Sequence, residues 1–415
     1  MVMKKNYILF LVLAFIMILP LKDSLGQTAY ITNNISNTIS IIDVNSNTVT
    51  ATIPIGTSPY GVSVSPDGTR VYVTNNFVDS VRIINTANNT VSASIAVGSY
   101  PYGLSVSPNG NKVYVANNLA STLSVINATN NAVSATVSGG SLNEPNGVCM
   151  SPNGSKVYVS NDIFNQVLVI NTVTNSILFT IPVGNNPQGI CVSPDGTRLY
   201  VANFDSNSIS VINTTTNIVL VTIPVGSNPL GVCISPDGNQ LYVTNYNSGT
   251  VSNINTSANS VFVTIPVGNG PQGISLNPDG SKLYVANYNS NSVSVISTTS
   301  NSVVATIPVG SGPIAFGNFI STYPLINTNI ASSNIERESI IISPNPFSNY
   351  TTITLPSNQQ PATIILTDIL GKEIRTIPHV RDRQVVIEKG EMKPGIYFLT
   401  LTTQAGVENR KIVVE

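Results

Sequence analysis

The stretch "VYVTNN" at Val71–Asn76 alternates apolar and small polar residues and stops at asparagine. It returns as "VYVANN" at 113, "VYVSND" at 157, "LYVANF" at 199, "LYVTNY" at 241 and "LYVANY" at 283, and an altered copy, "AYITNN", begins at Ala29. Such alternation, ended by a turn-forming residue, predicts a half-buried strand that runs into a turn. Its repetition makes these strands the framework of the fold.

The repeat has a regular spacing and a regular content. Its copies start 42 residues apart, except for one step of 44. Each copy holds four strand-like runs, which in the second copy are Gly61–Ser65, Val71–Asn75, Val81–Asn85 and Val91–Gly98. Turns such as "SPDG" combine the fixed φ of proline with a glycine that tolerates positive φ. Four short antiparallel strands in each unit, with no helical periodicity, predict the blades of a β-propeller.

The number of strands predicts how the ring closes. The "VYVTN" strand and its two successors occur seven times, but the strand ending in "[SN]-P-[DN]-G" begins only six times, at 61, 103, 147, 189, 231 and 273. The degenerate segment Gly312–Ile320 can supply the seventh. We therefore expect it to lie innermost in the blade formed by residues 28–55, which leaves no open edge and yields seven blades.

At this point the chain resembles a known family. The "Y-V-[TA]-N" strand, the "TIPVG" strand and the "P-x-G-[VI]-x-[VI]-S-P-D-G" strand are similar to the YVTN family of β-propeller repeats over residues 28–320. The third blade departs most, because "VSGGSLNEPNG" at Val137–Gly147 replaces the usual connection and contains the two extra residues.

Composition divides the chain into segments. Residues 1–26 have two lysines, Lys4 and Lys5, ahead of an apolar run from Tyr7 to Leu19, with small residues before Gln27. This is the layout of a secretory signal peptide; a membrane anchor is the alternative. Residues 28–320 hold nine acids and six bases, whereas 321–415 hold nine of each in a third of the length. We predict a propeller at 27–320, a polar linker at 321–338 and a separate domain at 339–415.

The last segment resembles a second family. "SPNPF" at Ser343–Phe347, "DILGKEI" at Asp368–Ile374, "KPGIYFLTL" at Lys393–Leu401 and the terminal "KIVVE" are similar to the C-terminal sorting domain of type IX secretion cargo. From its residues alone, this segment is a small β-sandwich of about seven strands. The resemblance implies a Bacteroidetes-type bacterium, export across both membranes, and contact with the type IX machinery through residues 339–415. It also implies removal of the tail, followed by release or by attachment to surface lipopolysaccharide.

The propeller region is poor in catalytic side chains. The one histidine of the chain, His379, lies in the tail. Four of the nine propeller acids share one turn position with Asn109 and Asn153, which indicates a turn role; they are Asp67, Asp195, Asp237 and Asp279. Among seven-bladed relatives, metal-dependent lactonases need convergent carboxylates and streptogramin-inactivating lyases need a histidine. We expect no catalysis and no cofactor; a lactonase-like hydrolase or lyase is the alternative.

Two residue groups raise the question of a metal. Asp162 and Asp205 follow the repeated asparagine in adjacent blades and could form a weak calcium site, or they are two solvated loop acids, which the sequence favours. Cys149, Cys191 and Cys233 are 42 residues apart, where serine stands in other blades. We expect small side chains packed against the neighbouring blade, with neither a disulfide nor a metal.

The blades differ in two sets of loops, and these carry the predicted binding face. One set follows the repeated asparagine and the other precedes the innermost strand, so both emerge opposite the "SPDG" turns. The repeated asparagines are expected to cap their own turns. Aromatic residues among asparagine, serine and glutamine suit a glycan or a protein ligand; alternatively, each ring fills a gap between blades. The predicted ligand-binding residues are Tyr60, Phe77, Tyr100, Tyr102, Phe204, Tyr246 and Tyr288, with Phe164 nearby.

The composition excludes one class of partner and leaves two roles open. The net charge is −1, which provides no basic footprint for nucleic acid. We expect an all-β protein, a seven-bladed β-propeller with a small C-terminal β-sandwich, secreted or displayed on the cell surface. The expected role is binding without catalysis; a structural surface-layer component is a further alternative.

Overall fold

The structure, a computed structural model, describes residues 27–321, 341–343, 345–355, 362–368, 372–380, 382–403 and 406–415. The predicted signal peptide and residues 322–338 of the predicted linker lie outside the described residues. The chain forms two compact units that divide between Asn329 and Ile330. Within the described part of the chain, no helix has the length and apolar character needed to cross a membrane.

The first unit consists of seven small antiparallel sheets, which confirms the predicted seven-bladed propeller. The six innermost strands are Pro59–Val64, Pro101–Val106, Pro145–Met150, Pro187–Val192, Pro229–Ile234 and Pro271–Leu276. The seven second strands are Thr28–Asn33, Arg70–Asn75, Lys112–Asn117, Lys156–Asn161, Arg198–Asn203, Gln240–Asn245 and Lys282–Asn287. The third strands are Thr38–Asp43, Ser80–Asn85, Thr122–Asn127, Gln166–Asn171, Ser208–Asn213, Thr250–Asn255 and Ser292–Ser297. The outer strands are Thr48–Pro54, Thr90–Ala96, Ala132–Val137, Ile177–Pro182, Ile218–Pro224, Ser260–Pro266 and Ser302–Pro308. Blades 1 to 7 are numbered by their second strands, in chain order.

Blade 1 is completed by the end of the propeller chain, as predicted. Its three strands are joined by the segment 312–320 through bridges from Ala29 to Ile320 and from Asn33 to Pro313. The amide of Tyr30 donates to the carbonyl of Phe319 at 2.9 Å. These are isolated bridges rather than a continuous ladder, because the same segment also bonds to the inner strands of the flanking blades. The two ends of the ring are thereby joined through backbone hydrogen bonds.

The hydrophobic core lies between the blades rather than within one blade. Each cluster of buried side chains combines adjacent blades, for example Tyr242 and Val251 of blade 6 with Leu283 and Val285 of blade 7. The tyrosine of each second strand is at most 2% exposed; these residues are Tyr30, Tyr72, Tyr114, Tyr158, Tyr200, Tyr242 and Tyr284. The tyrosines of the repeated motif therefore serve packing between blades.

Two other repeated residues set the distance between neighbouring inner strands. A Cβ atom added to Gly231 would lie 2.3 Å from the carbonyl oxygen of Gln272 in the next blade. The hydroxyl of Thr244 accepts from the amide of Gly231 at 2.8 Å and donates to that same carbonyl at 2.7 Å. The equivalent hydroxyls of Thr32, Thr74 and Ser160 make the same pair of bonds. Alanine stands at this position in the other blades, at 116, 202 and 286.

The second unit is a small β-sandwich, as predicted. One sheet holds Ile341–Ser343, Tyr350–Thr354 and Gln384–Glu388, and the other holds Glu373–Val380, Ala362–Asp368, Gly395–Thr403 and Gly406–Val414. Both sheets contribute to one core, with Ile353 and Ile387 from the first and Leu366, Leu399 and Ile412 from the second. His379 lies in the strand Glu373–Val380, but its side chain lies outside the described part.

Candidate functional site

The two variable loop sets lie on one face of the propeller and are hydrogen-bonded to one another. The loop after each second strand reaches the connection that leads into the next blade. In blade 2 the carboxylate of Asp79 accepts from the amide of Tyr100 at 2.8 Å, and in blade 1 the side-chain oxygen of Asn37 accepts from the amide of Ser58 at 2.8 Å. We call this surface the loop face; it lies opposite the "SPDG" turns.

Five aromatic rings form a continuous ladder on the loop face. Tyr60 and Tyr102 have ring centroids 4.5 Å apart in an edge-to-face arrangement. Tyr102 continues to Tyr100 at 5.4 Å, and Tyr100 to Phe77 at 5.7 Å. At the other end, Phe316 of the closing segment lies 6.0 Å from Tyr60. The structure thus brings four of the predicted site residues together, and Phe77, at 67% exposure, forms the outer end.

Tyr100 holds an unfavourable backbone conformation within this ladder. Its φ is +59°, in the left-handed region, and Glu144 at the equivalent position of the next blade has φ +53°. Ser58 has φ +50° at this position of the preceding connection. The remaining blades place Asn186, Asn228 or glycine there, which tolerate the conformation better. Backbone strain of this kind persists where a side chain is needed, and it concentrates at binding sites.

The remaining predicted aromatics are distributed around the ring. Tyr246 and Tyr288 are half-buried, and their rings would lie 3.1 Å from a Cβ atom added to Gly270 and Gly312 of the following connections. Each of these rings therefore covers the junction with the next blade, which was the alternative interpretation of such residues. Phe204 is half-buried, and Phe164 is 47% exposed. No ring contact joins these four to the ladder among the described residues.

The aromatic ladder has acidic neighbours. Burial raises the pKa of Tyr102 to about 12, and Tyr100 and the carboxylates of Glu144 and Asp162 add to this rise. Burial, followed by the charges of Glu144 and Asp205, raises the pKa of Asp162. Asp162 therefore lies close enough to Glu144 and Asp205 to be repelled by both. This part of the loop face is both aromatic and negative.

The repeated asparagines are buried and structural. Asn117, for example, donates to the hydroxyls of Thr122 at 3.0 Å and Ser124 at 2.9 Å in the adjacent strand of its own blade. Asn33, Asn203, Asn245 and Asn287 make the same pair of bonds. Their partners are side-chain hydroxyls across the turn, whereas the sequence analysis expected the turn backbone.

Sequence reasoning named Tyr60 and Tyr102 but missed the residues at the same position of the other innermost strands. The residue between proline and glycine begins each innermost strand, and it varies from blade to blade. It is Tyr60 and Tyr102 in blades 2 and 3, and then Asn146, Gln188, Leu230 and Gln272. Gln188, half-buried, donates to the side chain of Asn186 in the preceding connection. The variation itself was the available signal, because invariant positions of the repeat proved architectural.

The three cysteines differ from their predicted role in one respect. They contribute to the cores between blades, but they also line a cavity of about 350 Å³ around the axis, together with Ser63, Ser105 and Ser275 of the other blades. All three thiols are free. Burial raises the pKa of Cys149 to about 11 and raises that of Cys191 and Cys233 as well. Neutral thiols of this kind are unreactive, so the cavity carries no activated nucleophile.

Within the described residues, the side chains that could ligate a metal are not clustered. No group of three or more histidine, cysteine, aspartate or glutamate side chains there is placed to hold a metal ion. The carboxylate of Asp205 accepts from the side chain of Asn186 at 3.2 Å. The loop face therefore offers aromatic, amide and carboxylate groups as its chemistry.

Three family models match parts of the chain. Residues 342–415 match the secretion system C-terminal sorting domain. Residues 63–155 match a YNCE-like β-propeller, and residues 214–309 match the seven-bladed β-propeller lactonases. No curated protein matches the chain. These matches make the chain a β-propeller protein with a tail for type IX secretion, exported to the cell surface or beyond it.

Solved structures with the same fold are distant in sequence. Hydrazine synthase of Kuenenia stuttgartiensis matches with a TM-score of 0.61 and 23% identity over 65% of this chain and 92% of that one. A functionally unknown protein from Desulfotomaculum acetoxidans DSM 771 matches with a TM-score of 0.61 and 18% identity over 70% of this chain and 100% of that one. At these identities the likeness establishes the propeller fold alone.

Proposed function

We propose that this exported β-propeller is a non-catalytic binding protein whose loop face holds a glycan or a protein ligand. The observation that carries the proposal is the ladder Phe316–Tyr60–Tyr102–Tyr100–Phe77, with centroid separations of 4.5 to 6.0 Å. Rings of this kind present apolar faces and phenol hydroxyls at little conformational cost, which suits both sugar rings and peptide side chains.

Two features support binding rather than packing as the role of the ladder. Tyr100 is kept in a left-handed conformation where asparagine stands in other blades. Phe77 is largely exposed, although the tyrosines of the second strands are buried. Packing alone explains neither the strain nor the exposure.

The experiment is a glycan array, together with a peptide array, probed with the full chain. A ligand found there is then titrated against Tyr102→Ala and Phe77→Ala. Truncating an anchor of a binding site costs about 2 kcal/mol or more of binding free energy, so we expect a loss of at least about tenfold in affinity.

Tyr242→Ala is the matched control, because Tyr242 is fully buried between blades. It should lower stability by about 3–5 kcal/mol and leave the affinity of the folded fraction unchanged. Unaltered binding by both ladder variants would refute the loop-face proposal. We also predict weaker binding for Tyr246→Ala. The ring of Tyr246 covers Gly270 as well.

A lactonase-like hydrolase is the second candidate, and the match of residues 214–309 is what favours it. Its carboxylates would come from Asp162 and from Glu144 and Asp205, whose charges act on Asp162. Turnover of aliphatic lactones that requires Ca²⁺ and is lost in Asp162→Asn would establish this function and overturn the non-catalytic proposal.

A further inference from the structure

The second strands of most blades begin with a basic residue on the "SPDG" side of the propeller, opposite the loop face. Each is the first residue of its strand. The residues are Arg70, Lys112, Lys156, Arg198 and Lys282. In the described part of the propeller, the only other basic residue is Arg82, which lies in a third strand.

Four of these bases, all except Arg198, reach across to a backbone carbonyl of the next blade. The ammonium of Lys112 donates to the carbonyl of Thr172 at 2.7 Å, and that of Lys282 donates to the carbonyl of Val44 at 2.8 Å. The acceptor is always the residue that follows the third strand of the next blade. Arg70 to Ala128, at 2.5 Å, and Lys156 to Thr214, at 3.3 Å, follow the same rule. A cation thus joins one blade to the next at the same place at four of the seven interfaces.

Blades 1 and 6 begin their second strands without a base, with Thr28 and Gln240 in its place, and blade 6 is the one considered further. The carbonyl oxygen of Gln240 is engaged locally, by the hydroxyl of Tyr242 at 2.9 Å and the side-chain amide of Asn253 at 2.7 Å. Asn253 occupies a fully buried position where the other blades have isoleucine or valine, and its own Oδ1 has no partner. By position, the carbonyl left without a cation from blade 6 is that of Thr298.

A cavity of about 280 Å³ lies at this place, between blades 6 and 7. Thr298, Thr299, Gln240 and the carboxyl-bearing residues Asp237 and Asp279 all line it. Hydrogen bonds, from Ser235 to Asp237 and from Ser281 to Asp279, lower the pKa of both carboxyl groups, so both are ionised at neutral pH. The lining is rich in oxygen acceptors and carries two negative charges.

The nearest base does not fill this cavity. Lys282 lowers the pKa of Asp279 through its charge, but its ammonium is bonded to the carbonyl of Val44 and the side chain of Asn47 in blade 1. Three sister interfaces place a primary ammonium against the carbonyl after the third strand. The blade 6–7 interface lacks that ammonium and is crossed instead by the side-chain amide of Asn253, which donates to the side chain of Asn301 at 2.9 Å.

We propose that the cavity between blades 6 and 7 binds a primary ammonium group from another molecule, in the place that lysine fills in the sister blades. Charge-assisted hydrogen bonds to the carbonyl of Thr298 and to the two carboxylates would hold it. The ammonium could belong to a lysine side chain or to a free alkylamine, since both present the same donor. This site lies on the face opposite the aromatic ladder and does not depend on its function.

The experiment is a titration of the full chain with n-butylammonium chloride at constant ionic strength, in which the backbone amide chemical shifts are monitored by NMR. We expect saturable shifts at Thr298 and Thr299, and none with equal concentrations of butan-1-ol or sodium chloride. Separate titrations with Nα-acetyl-lysinamide and 1,4-diaminobutane then identify the source of the ammonium group. Tighter binding of Nα-acetyl-lysinamide indicates a peptide lysine, and tighter binding of 1,4-diaminobutane indicates a free amine.

Two variants test the assignment. Gln240→Lys supplies the ammonium from the chain itself and should weaken amine binding at least about tenfold, the equivalent of one charge-assisted hydrogen bond. Asp279→Asn should also weaken binding, and it should fold, because Asn109 and Asn153 occupy the same turn position in other blades. The proposal is overturned if the parent shows no saturable shift at Thr298 and Thr299, or if both variants bind the amine as well as the parent does.

Discussion

The hydroxyl of Thr244 in blade 6 donates a 2.7 Å hydrogen bond to the backbone carbonyl of Gln272 in blade 7. Because the same hydroxyl accepts from Gly231, it joins the amide of one inner strand to the carbonyl of the next. Thr244→Val keeps the shape and removes both bonds, so we expect the free energy of unfolding to fall by about 1–2 kcal/mol. Chemical denaturation measures the change. Thr264→Val, on an exposed outer strand, is the control and should have almost no effect.

Gly231→Ala should be more damaging than the loss of this hydroxyl. The added methyl group would lie 2.3 Å from the carbonyl oxygen of Gln272, and backbone cannot move away as a side chain can. We expect a loss of about 2–3 kcal/mol in the free energy of unfolding. Gly140→Ala is the control, since nothing lies within 4 Å of its added Cβ atom. Equal stability of the two alanine variants would contradict the close-approach explanation.

Deletion of residues 312–320 should destabilise the whole ring. This segment bonds to blade 1 and contributes Phe319 and Ile320 to the core there, so its loss exposes an edge and apolar surface. We expect a lower melting temperature and increased binding of an apolar dye. A deletion variant that melts and dissolves like the parent would show that the ring closes by other means.

Tyr100→Asn should separate stability from binding. Asparagine holds φ of +52° and +55° at the equivalent positions 186 and 228, so the substitution relieves an unfavourable φ of +59° while removing ring contacts. We expect the free energy of unfolding to remain the same or to rise by up to about 1 kcal/mol, and binding on the loop face to weaken. Thermal melts beside the titration test this; a clear loss of stability would assign Tyr100 to packing.

Asp162→Asn should change stability in a pH-dependent way. The pKa of Asp162 is raised in the folded state by burial and by the charges of Glu144 and Asp205. Such a carboxyl group contributes stability below its unfolded pKa and loses that contribution as the pH rises through its folded pKa. Relative to the parent, the variant should therefore be more stable at about pH 7 than at about pH 3.

Asp195→Asn is the matched comparison and should behave in the opposite way. Hydrogen bonds from Ser193 and Thr197 lower the pKa of Asp195, so its contribution is present at neutral pH and is lost on acidification. Denaturant unfolding at the two pH values measures both variants. The same pH trend in both would contradict the assignment of opposite shifts.

Much of the fold was predictable because aligning the copies of a repeat shows which strands are equivalent and how many of each there are. The seven copies of the second strand and the six inner strands required a closing segment, and the bridge from Ala29 to Ile320 confirms it. The motifs of the tail likewise predicted the sorting domain that the match over residues 342–415 supports. Local alternation and turn residues suffice for such conclusions, because each blade is built from contacts that are close in sequence.

The sites were only partly predictable, because they depend on contacts between blades. The sequence predicted Tyr60, Tyr100, Tyr102, Tyr246 and Tyr288 alike as loop aromatics of the binding face. The structure joins the first three in the ladder. It places the rings of Tyr246 and Tyr288 over glycines of the following connections. The exception at Gln240 was visible in the repeat, but its meaning came from the carbonyl that lysine reaches in a sister blade, about 60 residues away along the chain. The sequence determined the blades, their number and the secretion signal that exports this protein. The tertiary structure alone decided which side chains meet across blade interfaces, because packing distances there, and not the repeat, select the partners.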